Sequence, residues 1–177
     1  MDRWVHLENT RFLPTLHTRR DVLAAVASSL QQMTAAVINS VFDQIKQSHS
    51  AVILLPLVIL NTSTTVSDEQ LSILHFLFGK NFERATKIVD QGGVRKISGS
   101  PSGRYLFLVV GESRRKEEYI CFPDHHCTCY SFFYDVVSRG EQLCCKHQLA
   151  SRLSEAVGTH SDVTVSDEQL ALMLSKL

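Results

Sequence analysis

Apolar residues recur three and four apart early in the chain, at Val22, Val26, Leu30, Met33, Val37, Val41 and Ile45. That period predicts an amphipathic helix over 19–47. Asp21 sits near its start, where the helix dipole favours an anion. Such a stripe either packs on its own core or docks a partner, and the first use is the commoner one. Residues 1–18 show no clean period: Trp4, Phe12 and Leu16 are scattered and Pro14 interrupts them. We read them as a mobile tail. Residues 48–65 read as an apolar insertion or linker. Ala51 to Leu60 is almost wholly aliphatic around Pro56, and polar Asn61 to Thr65 follow. An uncharged, β-prone run of this kind is an aggregation hazard when exposed, and we assign it no function.

Downstream the boundaries are better marked. Thr-Val-Ser-Asp-Glu-Gln-Leu occurs at 65–71 and again at 164–170. Each copy offers a capping box, Ser67 with Gln70 and Ser166 with Gln169. Helices are expected at 68–78, stopped at Gly79, and at 82–90, stopped by Gly92 and Gly93, with Phe82, Ala85, Ile88 and Val89 inward. The period then switches to two. Val94–Ser98 and Tyr105–Val110 flank Ser100-Pro101-Ser102-Gly103, which fits a hairpin closed by a type I turn. A third strand is expected at 118–122, a short helix at 131–139, and a longer helix beginning near Cys145. This pattern predicts an α+β fold: N-terminal helices, a small antiparallel sheet, and a main domain over 66–177.

The chemistry concentrates late in the chain. Cys127 and Cys129 are followed by Cys145 and His147. Three thiols and an imidazole are the donor set of a closed, four-coordinate zinc site. On a strand, residues i and i+2 point the same way, so Cys127 and Cys129 can converge on one ion. On a helix they lie roughly 200° apart, so Cys145 is expected just before the helix and His147 in its first turn. Four protein ligands leave no position for water, which predicts one structural Zn2+ and no catalytic metal. Cys144, His125 and His126 stand close enough in sequence to substitute as ligands, whereas Cys121 reads as core. Phe132, Phe133 and Tyr134, between the ligand pairs, are expected to pack the metal module. With no secretory signal in view, the cysteines are expected to be reduced.

Charge narrows the function. The 177 residues carry 18 basic and 18 acidic side chains, a balance that disfavours tight autonomous nucleic-acid binding. Arg95, Lys96, Arg104, Arg114, Arg115 and Lys116 are the one basic concentration. They read as a solvated loop balanced by Glu112, Glu117 and Glu118, or as a weak phosphate-contacting edge. No segment was expected to reach membrane-spanning length. No His-Glu-x-x-His, Walker loop, Gly-x-Ser-x-Gly or deaminase signature is present, so no enzyme activity is expected.

Cys-x-Cys, a spacer and Cys-x-His, extended here to Ala150, resemble the SWIM zinc finger, and specifically the SWIM-domain subunits of Shu complexes. Leu77-Phe78-Gly79, Ser100 to Arg104 and Val165 to Leu170 share the likeness, which covers about residues 30–45 and 66–177. The resemblance implies a ββα-like SWIM finger at about 119–157, with Cys127, Cys129, Cys145 and His147 on zinc and Ala150 as a small packing residue behind it. It further implies a nuclear, non-enzymatic subunit that forms a heterodimer with a RecA-like recombinase paralogue. That pair would support homologous recombination by helping recombinase filaments on single-stranded DNA. Contact with that DNA is then indirect or weak, and neither a membrane nor a small-molecule substrate is involved. The alternative expectation is a zinc-dependent, direct single-stranded nucleic-acid binder.

Overall fold

The computed structural model describes residues 19–53, 66–112, 116–175 and 177. The tail at 1–18, the larger part of the insertion (54–65), and Arg114 and Arg115 lie outside them. The chain divides into two units, Met1–Val37 and Ile38–Leu177.

Helix α1 runs Arg19–Ile53, so the segment expected to leave the helix at 48 continues in it for another turn and a half. Within Arg20–Ser48 an 18-residue stretch of this helix reaches a mean hydropathy of 1.3, so by length and composition the helix is long and apolar enough to cross a membrane. The expectation that no segment does so is corrected: valines, leucines and alanines interleaved with uncharged Ser, Gln and Thr raise hydropathy without forming an unbroken apolar run. In the second unit, Ile38, Val41, Phe42 and Ile45 are buried in the core.

Helices α2 (Asp68–Phe78) and α3 (Lys80–Asp90) follow, and Gly79 is at once the end of one and the N-cap of the next. Its φ of 49° is the conformation that glycine tolerates without a Cβ penalty. The capping box of α2 is formed, with Gln70 N–H donating to Ser67 Oγ and Ser67 N–H to Gln70 Oε1. Phe82, Ala85 and Ile88 are buried.

The sheet has five strands in the order β4-β3-β2-β1-β5. Strands β1 (Val94–Ser100), β2 (Tyr105–Val110), β3 (Glu118–Phe122) and β4 (His126–Cys127) pair antiparallel. Strand β5 (Ser161–Ser166) adds to β1 in parallel, so the sheet is mixed where an antiparallel one was expected. The β1–β2 hairpin differs too. Gly103 N–H donates to the Gly99 carbonyl, one residue further back than the Ser100 carbonyl that a type I turn over 100–103 would use, and the Ser100–Pro101 peptide is cis.

Alternation places Val94, Phe107, Val109 and Cys121 on one face, in a core shared with α2, α3 and α4 (Lys146–Ala156). Ile97, Leu106 and Leu108 face the other way, under Leu170 of α5 (Asp167–Leu174). Helix α4 is the hub. Leu149, Ala150, Leu153 and Ala156 are buried with it, and its buried serines return hydrogen bonds to their own helix, Ser151 Oγ to the His147 carbonyl and Ser154 Oγ to that of Ser151.

Candidate metal centre

Two structural devices bring the late cysteines together. The first is the β3–β4 hairpin. Cys127 stands opposite Cys121 in register, and Thr128 is held against β3 by its N–H to the Ile120 carbonyl and by Ile120 N–H to Thr128 Oγ1, both at 3.0 Å. Cys129 follows on the same side as Cys127, as the i, i+2 spacing requires. The second is the start of α4. Cys145 is its N-cap, in extended conformation, and His147 lies in the first turn. Here a thiol does what Ser does in a capping box: Gln148 N–H donates to Cys145 Sγ at 3.5 Å, and Cys145 N–H to Gln148 Oε1 at 3.1 Å. Between the two devices, where a short helix was expected at 131–139, a π-helix spans Phe132–Ser138. Its first N–H, from Phe132, donates to Cys129 Sγ at 3.3 Å.

The donor atoms of Cys127, Cys129, Cys145 and His147 all lie within 4.8 Å of one another, and all four residues are buried. Around a tetrahedral ion with metal–sulfur bonds of about 2.3 Å, neighbouring sulfurs stand about 3.8 Å apart, so the spacing suits one ion. Cys127 Sγ is 3.8 Å from His147 Nδ1. The alternatives fall away from the group. Cys144 is half-buried, with its thiol pushed up to about 12 by burial, and its carbonyl accepts from Asn81. His125 is exposed, and His126 meets Phe132 and Phe133 edge-on. Cys121 is buried outside the group.

Electrostatics also fit a cation. Hydrogen bonds from Cys127, Cys145, His147 and the Phe132 N–H pull the Cys129 thiol far down. Cys127 and Cys145 are driven well up, first by neighbouring thiols (Cys121, outside the group, and Cys129 for Cys127; Cys127 and Cys129 for Cys145) and then by burial. One thiolate is tolerated here, and three become compatible only with a positive ion among them. His147 Nε2 is buried with no hydrogen-bond partner among the described residues. Such an orphan costs about 1–3 kcal/mol, and it is the ring nitrogen other than the Nδ1 that stands beside Cys127 Sγ. The imidazole plane is fixed by Tyr119, stacked on it at 4.5 Å and 21°. Tyr119 in turn donates to Glu117 Oε2 at 2.9 Å. Gly111 makes room for that stack, because a Cβ there would stand 2.8 Å from Tyr119 Cε2.

The residues between the ligand pairs depart from expectation. Phe132 is buried, but Phe133 and Tyr134 are 55% and 44% exposed, so only one of the three packs the module. The π-helical register turns the others outward, where Tyr134 stacks on Tyr130. Sequence reasoning also passed over Tyr119 and Gln148. Gln148 carried a readable signal, since it stands three residues after the N-cap. Tyr119 carried none.

Fold and site together define an α+β protein with a potential metal-binding group of three cysteines and one histidine. No family model matches the chain. It is 43% identical over 112 residues to zinc finger SWIM domain-containing protein 7 of Danio rerio, covering 63% of this chain and 78% of that protein. The Homo sapiens protein of the same name is 38% identical over 113 residues, covering 63% and 79%. A Dictyostelium discoideum homolog is 28% identical over 110 residues, covering 62% and 69%. The chain belongs to the zinc finger SWIM domain-containing protein 7 family.

Proposed function

We propose that this chain is a non-enzymatic, zinc-binding interaction subunit of a Shu-type complex. The observation that carries the reading is the closed donor set. Three thiols and one imidazole, buried and mutually within 4.8 Å, suit Zn2+ and leave no position for a substrate or a reactive water. An ion held this way shapes a surface. It ties the β3–β4 hairpin and the π-helix to the first turn of α4, and α4 organises the core. The names of the relatives, which carry a zinc finger, support the choice of metal.

In this reading the partner is a RecA-like recombinase paralogue. The heterodimer acts in the nucleus, where it supports recombinase filaments on single-stranded DNA during homologous recombination repair. The chain itself touches DNA weakly or through its partner. The test is coexpression with a RecA-like ATPase paralogue, followed by copurification and elemental analysis. One equivalent of zinc and a stoichiometric pair are expected from the intact chain, and loss of both from Cys127→Ala. Unchanged zinc and unchanged pairing in that variant would overturn the reading.

A further inference from the structure

Helix α1 changes its pattern at Val37. Beyond it, Ile38, Val41, Phe42 and Ile45 form the wide stripe of a core-facing helix, and all are buried. Before it, Leu23, Val26, Leu30, Met33 and Val37 are spaced three, four, three and four apart. That is the narrower a/d seam of a coiled coil, and these five residues are 51–64% exposed.

We propose that this seam docks one amphipathic helix of a partner protein. The proposal rests on the reading of the chain as a subunit that joins a partner. The period itself identifies the occupant as a helix, because only a helix presents holes at matching intervals for these knobs. The flanks agree. Positions beside the seam are Val22, Ala27, Ser29, Thr34 and Ala36, small or uncharged, so a second backbone can approach closely and no like charge opposes it. No charged residue occurs from Val22 to Phe42.

Two other occupants fit less well. A helix that lies on a lipid surface carries Lys and Arg on its polar face, whereas the face opposite this seam is Ala24, Ala25, Ser28, Gln31, Gln32 and Ala35. A second copy meeting it seam to seam buries too little. At 51–64% exposure each of these side chains has about 100 Å² left to bury, which gives about 500 Å² for five, against about 800 Å² per partner in a stable interface. The docking helix therefore belongs to a larger folded partner that touches this chain elsewhere as well.

A photocrosslinking residue placed in the full-length chain, expressed in cultured human cells, tests this. The substitutions are Leu30→p-benzoylphenylalanine on the seam and Gln32→p-benzoylphenylalanine on the opposite face, with adducts mapped by mass spectrometry. Expected are adducts from position 30 on one segment of another protein whose apolar residues recur three and four apart. None is expected from position 32. Adding Val26→Glu and Met33→Glu should cut the yield at least tenfold with an unchanged circular-dichroism melt. Adducts to a second copy of the chain, to lipid, to both faces equally, or to nothing would overturn the seam. A mapped helix from a protein without a nucleotide-binding loop would leave the seam standing and remove the recombinase partner. Absent adducts alongside intact copurification of the ATPase would do the reverse.

Discussion

Three thiols and an imidazole packed within 4.8 Å cannot all reach their metal-binding states without a cation. The Cys129 thiol is pulled down by the hydrogen bonds of its neighbours and those of Cys127 and Cys145 are driven up, so the group sheds one proton more readily than the next two. Binding a metal must therefore displace at least two thiol protons, and the sign of the pH effect follows. Below the ordinary thiol pKa of about 8.5, the metal-free protein carries protons that the bound form has lost, so affinity falls as pH falls. From pH 7 to pH 6 the apparent dissociation constant should rise at least about a hundredfold, as read by competition with a chelating dye. A slope near zero would mean that the thiolates are already formed without the ion. Gln148 makes a second residue-scale case. Its side chain holds the buried Cys145 N–H, so Gln148→Ala should cost about 1–2 kcal/mol in urea denaturation. It should leave the metal stoichiometry at one, since no donor atom is removed.

At the scale of elements, α5 and β5 show what joins the outer face of the sheet to the rest. Asp167, in the first turn of α5, accepts from Ser102 N–H and Ser102 Oγ across the β1–β2 hairpin. Gly99 lies directly beneath: a Cβ there would stand 2.5 Å from Asp167 Oδ1 and 2.9 Å from Leu170 Cδ2. Gly99→Ala should push α5 off the sheet and destabilise the fold by about 1–3 kcal/mol, with hydrogen exchange rising over 167–174 and not over α4. Uniform exchange would show that α5 does not move separately. Helices α2 and α3 and strands β1 to β3 were legible because their signals are local: a capping box, Gly79, and alternation over Tyr105–Val110. Strand β5 was not. Ser161–Ser166 is mostly exposed and short of apolar residues, and it exists by parallel pairing to β1, more than 60 residues back in the chain. The π-helix was read as a helix but not as this register, since nothing in Phe132–Ser138 marks an i→i+5 bond. The grouping of Cys127, Cys129, Cys145 and His147 was legible because metal chemistry fixes both the type and the spacing of side chains that could share an ion. Tyr119, which stacks on the imidazole, and Gly111, which makes room for that stack, depend on contacts made across the fold.

Over the whole molecule, charge decides between a scaffold and a direct reader of nucleic acid. Basic and acidic side chains number 18 each, and the folded chain spends many of its cations on its own carboxylates. Arg95 pairs with Glu118, Lys96 with Glu155 at 2.9 Å, Lys146 with Glu112 at 2.6 Å, Arg139 with Glu141, and Arg152 with Asp124 at 3.6 Å. Lys146, beside the metal donors, is the cation best placed to turn a zinc module toward a phosphate. Its bond to Glu112, helped by Arg84 and Lys87, holds that carboxyl below its ordinary range. A phosphate backbone would have to displace Glu112 before it gained Lys146. Binding that rests on phosphate contacts needs free cations and weakens steeply with salt. We therefore expect the isolated, metal-loaded chain to bind a 30-nucleotide single strand more weakly than about 10 µM at 150 mM salt, measured by fluorescence anisotropy. Glu112→Gln should tighten binding by freeing Lys146, and Lys146→Gln should not loosen it further. Submicromolar binding by the unmodified chain, lost in Lys146→Gln, would make the chain itself the reader and leave the partner without its assigned part in holding DNA.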